Sequence, residues 1–157
     1  MKRQSKEEAE KWYEKPDQWK YWDCEDDQIR KKEILSMLDT YETALDIGAG
    51  EGFITEDLPA KDIYAIEWSE NAKARLHDKI KIHNIPDKCD LVVSCGTLYE
   101  QYNHEEMADL IKKHASKYVL IAGIKDWLIP YTFGKIIAEK TFKYRQYEQK
   151  VTLYLVA

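Results

Sequence analysis

The chain has 157 residues, of which 44% are apolar and 34% charged, and its net charge is −5. This length predicts one domain with a buried core, and the mixed, acidic charge excludes the basic surface typical of nucleic-acid-binding proteins. No run of 18 apolar residues occurs, the start lacks a signal peptide's apolar stretch, and the three cysteines form no C-x-x-C pair, which argues against a membrane span, a disulfide framework and a metal site. We therefore expect a cytoplasmic protein with no membrane or nucleic-acid partner.

The first 25 residues are unusually aromatic. Residues 5–13 favour a helix, and the stretch from Trp12 to Cys24 holds three of the five tryptophans together with two tyrosines. Such a density of large rings requires burial or a ligand. Two interpretations stay open for residues 1–25: a flap packed on the core, or a lid that covers a ligand.

From residue 26 onward, helical and strand patterns alternate. The patterns predict helices over residues 26–38, 53–58, 71–77, 104–116 and 131–141, and strands over residues 43–47, 63–67, 79–84, 90–94, 118–123, 142–148 and 151–156. The first of these helices should bury Ile29, Ile34, Leu35 and Leu38, and the last two strands should form a hairpin through Gln149 and Lys150. This order predicts an α/β fold: a three-layer, seven-stranded, mostly parallel sheet with a C-terminal antiparallel hairpin, all in one domain of residues 1–157.

Three glycines at alternate positions follow the first of the predicted core strands. They are Gly48, Gly50 and Gly52, and Asp46 precedes them. The dinucleotide fingerprint G-x-G-x-x-G fails, because its last glycine would fall on Phe53. The spacing D-x-G-x-G-x-G instead resembles the first motif of the class I methyltransferases, which use S-adenosylmethionine (SAM) as methyl donor and form S-adenosylhomocysteine (SAH).

The resemblance implies a Rossmann-like fold and a donor site at this loop, with Asp46, Gly48, Ala49, Gly50 and Gly52 contacting SAM. Charge agrees with this interpretation, because SAM has no phosphate and carries an ammonium and a sulfonium. Asp46 and Glu51 are the acidic residues expected beside such a ligand.

A second part of the resemblance lies at the end of the next strand, about 20 residues beyond the loop. In the family an acidic residue here accepts the ribose hydroxyls, and Glu67 occupies that position. The following residue commonly packs on the adenine and is Trp68, although an ordinary core or surface tryptophan is an equal alternative. Asn84, after the third core strand, occupies a place from which family members contact the adenine amine.

The loop after the fourth core strand is the expected acceptor side, since ligands bind outside the carboxyl ends of parallel strands. Cys95 and Gly96 should lie close to the donor, while Tyr99, Glu100 and His104 are candidate catalytic groups that orient or deprotonate an acceptor. His104 is the best candidate base, because an unperturbed histidine has a pKa near 6.5. The alternative is that His104 merely opens the following helix.

The function implied by the resemblance is SAM-dependent methyl transfer by a member with a minimal core. Residues 21–35 also resemble the entry of small methyltransferases of the nodulation and sugar-modifying kind, which favours transfer to an oxygen or nitrogen of a small polar, carbohydrate-like molecule. The loop after the fourth core strand lacks the Asn/Asp-Pro-Pro-Tyr motif of amino-methylating enzymes. Two alternatives remain: a noncatalytic SAM-binding scaffold or partner subunit, and an RNA or protein methyltransferase. Assembly into an oligomer or with a protein partner is compatible with all three.

Overall fold

The structure, a computed structural model that describes residues 3–156, is built around one seven-stranded sheet. Its strands are β1 (Tyr41–Ile47), β2 (Ala60–Ile66), β3 (Ile80–Lys81), β4 (Cys89–Cys95), β5 (Ala115–Ile124), β6 (Lys135–Tyr144) and β7 (Tyr147–Leu155). Its helices are α1 (Lys6–Trp12), α2 (Glu25–Leu35), α3 (Glu70–Lys73) and α4 (His104–His114), with a 3-10 turn at Thr55–Asp57.

The strand order across the sheet is β3-β2-β1-β4-β5-β7-β6. The first five strands in this order are parallel, whereas β7 is antiparallel to both of its neighbours. The order reverses at β1, because the chain runs outward through β2 and β3 and then returns to the other side of β1 as β4. Loops leaving β1 and β4 therefore separate and open a crevice at their carboxyl ends.

Apolar side chains cover both faces of the sheet, which makes the fold three-layered. Successive residues of a strand point to opposite faces. Ala44 of β1 packs with Ile34 of α2 on one face, and Leu45 packs with Ile111 of α4 on the other, all four fully buried. The predicted fold class, including the antiparallel C-terminal hairpin, is confirmed.

The predicted helix over residues 131–141 is wrong. Residues 135–144 form β6, which pairs along its length with β7, and residues 125–134 form no helix. The error has a physical reason. As an edge strand β6 leaves Ile136 52% exposed and Ile137 46% exposed, so the alternation of buried and exposed side chains that identifies a strand is weak here. The hairpin turns at Arg145 and Gln146, and not at Gln149 and Lys150.

Three other elements are shorter than expected. The helix expected over residues 53–58 is only the 3-10 turn, the helix expected over residues 71–77 is only α3, and the third core strand is shortened to Ile80 and Lys81.

Helix α2 forms close to where expected. Ile34 is fully buried and Leu35 and Leu38 pack against the core as predicted, whereas Ile29 is 44% exposed. The helix also buries Asp27 and Arg30. Burying a charged pair in this helix places a guanidinium beside the crevice.

Candidate functional site

A cavity of about 630 Å³ opens at the carboxyl ends of the central strands, a volume typical of small-molecule sites. It collects most of the residues predicted from the sequence. Those that line it are Asp46, Gly48, Ala49, Gly50, Glu67, Trp68, Cys95, Gly96 and Tyr99. The predicted donor loop and the predicted acceptor side thus share one cavity.

The glycine loop contributes in two different ways. Gly50 lines the cavity with φ of +59°, and a Cβ there would lie 3.1 Å from the Tyr13 hydroxyl. Gly52 has φ of +90° and does not line the cavity; a Cβ there would lie 2.9 Å from Leu76. Both positions favour glycine by backbone conformation. Gly50 leaves room for a ligand, whereas Gly52 allows the loop to pack closely on the residues after α3.

Glu67 directly follows β2 and is held by two backbone amides. The Gly50 N–H donates to its Oε1 at 2.7 Å, and the Ser69 N–H donates to its Oε2 at 2.8 Å. Each oxygen keeps a free lone pair, so the carboxylate can accept two further hydroxyl hydrogens from the cavity. Burial raises the pKa of Glu67 above its ordinary value, while the amide hydrogen bonds oppose that shift.

Asp46, at the end of β1, presents an unsatisfied oxygen. The residue is 2% exposed, and its Oδ2 accepts a hydrogen bond from the Thr55 hydroxyl at 2.8 Å. Its Oδ1 is buried and has no hydrogen-bond partner within residues 3–156. Burial, reinforced by the charge of Glu67, raises the pKa of Asp46 to about 7. A cationic N–H donor in the cavity would satisfy this oxygen and favour the ionised carboxylate.

Arg30 is a cavity residue that the sequence analysis did not assign to the site. It is 5% exposed, and within residues 3–156 its only hydrogen bond runs from Nε to Asp27 Oδ1 at 3.3 Å. Its guanidinium lies 4.9 Å from the ring centre of Tyr21 and 5.4 Å from that of Tyr144. The two terminal nitrogens are therefore available to an anionic ligand group. Asp27, Arg30 and Ile34 share one face of α2 through their i, i+3, i+7 spacing, but only Ile34 is apolar, so the sequence pattern does not identify this inward face.

Tyr99 lies between the ends of β4 and β5. Its hydroxyl oxygen accepts the Ile124 N–H at 2.7 Å, and a Cβ on Gly96 would lie 3.9 Å from the same oxygen. Burial raises the pKa of Tyr99 above its ordinary value, so the hydroxyl stays protonated near neutral pH. It can donate a hydrogen bond into the cavity but does not serve as a base there.

The other predicted catalytic and adenine-contacting residues lie off the cavity wall. His104 opens α4, and its Nδ1 pairs with the Tyr131 hydroxyl at 2.8 Å while its Nε2 lies 3.3 Å from an Arg3 nitrogen. Glu100 has a side chain that is 64% exposed, and Asn84 lies in an exposed turn with φ of +54°. None of the three lines the cavity. His104 follows the loop after β4, as the sequence analysis expected, but its place at the start of α4 directs its ring away from the cavity.

Residues 3–22, which we call the lid, cover the cavity; residues 1 and 2 of the predicted flap lie outside the described part. The Gln4 N–H donates to the Gln101 carbonyl at 2.7 Å. On the other side, an Arg75 nitrogen donates to the Tyr13 carbonyl at 2.6 Å. Tyr13, Trp19 and Trp22 line the cavity from above. The aromatic residues thus pack over the cavity, as expected for a lid.

No protein-family model matches the sequence, and no curated protein matches it in sequence. Solved structures do match its fold. NodS, an N-methyltransferase from Bradyrhizobium japonicum WM9 in complex with SAH, superposes with a TM-score of 0.78 at 15% identity over 96% of this chain and 97% of that chain. Magnesium protoporphyrin IX methyltransferase (ChlM) from Synechocystis PCC 6803 with bound SAM gives 0.69 at 13% identity over 97% of both chains. TrmK from M. capricolum with bound SAH gives 0.57 at 12% identity over 81% of this chain and 67% of that chain.

These matches establish the class of fold, which is that of the SAM-dependent methyltransferases and spans nearly the whole chain. The predicted similarity to nodulation-type methyltransferases is confirmed at the level of fold. Among residues 3–156, no group of three or more His, Cys, Asp or Glu side chains could hold a metal ion. In the same part of the chain, no helix has the length and apolar character needed to cross a membrane.

Proposed function

We propose that the protein is a SAM-dependent methyltransferase that acts on a small molecule. The observation that carries this proposal is a cavity that holds two charged groups: the buried Asp46 Oδ1, which has no hydrogen-bond partner within residues 3–156, and Arg30, which in the same part of the chain uses only its Nε in a hydrogen bond. A donor that ends in an amino acid offers an ammonium to Asp46 and a carboxylate to Arg30. Buried charged groups require partners of this kind.

The nucleoside part of the donor fits the other end of the loop. Glu67 accepts the two ribose hydroxyls with the lone pairs that its amide hydrogen bonds leave free. Trp68 lines the cavity beside it and offers a flat apolar surface to the adenine. Gly50 permits the close approach of the ligand to the loop between these two groups.

SAM supplies a methyl group on a sulfonium, which an incoming nucleophile displaces in line. The protein contributes alignment and the exclusion of water, which provide much of the rate for such a displacement. The lid excludes water above the loop, and the Tyr99 hydroxyl orients an acceptor at the ends of β4 and β5.

A small acceptor suits the covered cavity better than a macromolecule does. The lid is fastened on both sides of the loop, at Gln101 and at Arg75, so it covers part of a cavity that would otherwise be an open groove. The net charge of −5 also gives no basic surface for RNA.

Calorimetric titration with SAM and with SAH tests the donor site. We expect binding to the wild type and a loss of about 100-fold in affinity for Glu67→Ala, from two charge-assisted hydrogen bonds of about 1.5 kcal/mol each. Glu70→Ala is a matched control, because Glu70 is an exposed carboxylate three residues away whose side chain pairs with Lys73 at 2.6 Å. Absence of binding by the wild-type protein would refute the proposal.

The acceptor class is tested with SAM labelled on its methyl group. The labelled donor and the protein are incubated separately with the small-molecule, RNA and protein fractions of a cell extract. We expect label in the small-molecule fraction. Label in RNA or protein would contradict the small-molecule part of the proposal, and donor binding without transfer to any fraction would indicate a noncatalytic donor-binding protein.

A further inference from the structure

We propose that the acceptor is a small planar organic acid that is methylated on an oxygen already ionised at neutral pH. This inference rests on the proposed function and concerns the half of the cavity beyond the donor. We call that half the acceptor end; it is formed by Tyr99, Ile124, Trp127, Arg145, Tyr147 and Gln149, all of which line the cavity.

Two neutral side chains of the acceptor end, Gln149 and Tyr99, can each donate a hydrogen bond to a ligand. Gln149 is 2% exposed, lies opposite Ile124 on β5 and Phe142 on β6, and its carboxamide makes no hydrogen bond within residues 3–156. A carboxamide in a cavity wall with no partner from the protein is free to hydrogen-bond a ligand. The Tyr99 oxygen already accepts the Ile124 N–H, so its remaining function is to donate its own hydrogen. An acceptor that presents lone pairs satisfies both groups.

Charge at the acceptor end favours an anion. Asp27 is fully buried and accepts hydrogen bonds from Arg30, from Arg145 and from the Tyr144 hydroxyl at 2.6 Å. Once the carboxylate of the donor pairs with Arg30, Asp27 and Arg145 balance each other. The positive charge left facing the acceptor is then the sulfonium of the methyl donor. A negatively charged acceptor compensates the sulfonium, whereas an ammonium group would add a second positive charge.

A general base is absent from the acceptor end. No His, Asp or Glu among the described residues belongs to this part of the cavity wall. Three of the four lining carboxylates, Asp46, Glu51 and Glu67, belong to the glycine loop and the end of β2. The fourth, Glu106 on α4, is exposed and accepts a hydrogen bond from Asn103. A neutral hydroxyl or an ammonium would have no group to take its proton, and an ionised oxygen needs none.

The walls are flat, and they define the shape of the acceptor. Trp127 stands at 84° to Tyr99 with ring centres 5.7 Å apart, and its ring centre lies 5.0 Å from that of Tyr147. Trp127 lines the cavity and is 43% exposed. Aromatic walls of this kind hold planar, unsaturated skeletons well.

The chemical step balances without a proton acceptor. A lone pair on the acceptor oxygen attacks the methyl carbon, the O–C bond forms, and the S–C bond breaks with its electron pair left on sulfur. The products are the neutral methyl ester or ether and SAH. The negative charge of the acceptor and the positive charge of the sulfonium disappear together, and no proton is released.

Four ring compounds of similar size test the inference by calorimetry on the complex with sinefungin, a SAM analogue whose ammonium group keeps a positive charge in place of the sulfonium. They are 2-naphthoate, 4-hydroxycoumarin as an enol ionised at neutral pH, 2-naphthamide and 2-naphthylmethylamine. We expect one or both anions to bind at least tenfold more tightly than the amide and the amine. Preference for 2-naphthoate would identify a carboxylate acceptor, and preference for 4-hydroxycoumarin an enolate or phenolate. Tightest binding of the amine, or equal behaviour of all four compounds, would overturn the inference.

Substitution at Gln149 sharpens the test. Gln149→Glu keeps the shape and adds a negative charge, so we expect at least a tenfold loss of anion affinity with the SAH affinity unchanged. Tyr99→Phe, which removes only the hydroxyl, should weaken anion binding several-fold and serves if the first variant fails to fold. Tighter anion binding by Gln149→Glu would contradict the inference. Failure of the wild type to bind SAH would instead refute the proposed function.

Discussion

The donor end and the acceptor end of the cavity are built in different ways. Asp46, Gly50 and Glu67 come from one short stretch of chain, and two of them are joined directly by the hydrogen bond between the Gly50 N–H and Glu67. The acceptor end combines the loop after β4, the end of β5 and the hairpin of β6 and β7. A site built from one local motif binds one kind of ligand. The ligand specificity of a site built from distant segments can change when any one of those segments changes.

The two ends also differ in the kind of polar group that the protein leaves for a ligand. At the donor end backbone amides hold Glu67, while the buried Asp46 Oδ1 has no hydrogen-bond partner within residues 3–156. At the acceptor end the groups left for a ligand are neutral: the Gln149 carboxamide and the hydrogen of the Tyr99 hydroxyl. The donor end therefore offers a charged group to its ligand, whereas these acceptor-end groups offer neutral hydrogen bonds.

Arg30 provides the strongest way to test this division, because it approaches the donor from a distant helix. We expect Arg30→Met to lower SAH affinity by about 10- to 100-fold, the effect of one or two charge-assisted hydrogen bonds. Affinity for 5′-methylthioadenosine, which lacks the amino acid, should not change. Calorimetry with both ligands measures the difference.

The matched control for Arg30 is Lys32→Met, a change to an exposed cation on the same helix. Thermal denaturation of both variants reports whether the loss of the pairing between Arg30 and Asp27 affects folding. Unchanged SAH binding by Arg30→Met would show that Arg30 does not meet the carboxylate of the donor and would contradict that part of the proposed function.

Asp46 allows a second test of the donor end, because it should make the affinity for SAH depend on pH. Its pKa is raised to about 7 in the folded chain, so the stability linked to its protonated form is complete below the unfolded pKa and is lost as pH rises toward 7. A bound ammonium favours the ionised carboxylate instead. We expect SAH affinity to rise about tenfold between pH 6 and pH 8.

The variant Asp46→Asn should remove most of this pH dependence. Calorimetry in two buffers with different heats of ionisation also measures the proton that Asp46 releases on binding. A wild-type affinity that stays constant across this range would show that the Asp46 carboxylate does not meet the ammonium.

The smallest effect is expected at the lid. Arg75 donates to the Tyr13 and Glu14 carbonyls at 2.6 and 3.1 Å and pairs with Glu51 at 3.1 Å. Losing these contacts in Arg75→Met should weaken SAH binding about fivefold, the worth of roughly one net hydrogen bond. Trypsin should also cleave the lid faster than in the wild type.

Lys81→Met is the control for the lid, because it removes an exposed ion pair with Asp62 on the same side of the sheet. Equal trypsin cleavage of the two variants would show that Arg75 does not fasten the lid. If the SAH affinity of Arg75→Met also stayed at the wild-type level, the donor end would bind SAH without help from the lid.

Much of the donor end was predictable because its signals are local. Alternate glycines after a buried strand, followed by an acidic residue at the end of the next strand, specify a loop and its neighbour through backbone conformation and spacing. The site predictions that fail most clearly concern residues whose side-chain direction depends on where a helix starts or a strand ends. His104 lies in the expected loop region, yet α4 directs its ring to Tyr131, and Asn84 ends in an exposed turn.

The sequence by itself determined the first five strands, the glycine loop and the position of Glu67, because these follow from short-range patterns. Only the tertiary structure decided that residues 135–144 form an edge strand, that α2 turns Arg30 inward and that Gln149 lies in the cavity wall. The reason is physical. The state of an edge segment and the inward face of a helix depend on pairing and packing with distant residues, and these contacts exist only once the sheet has formed.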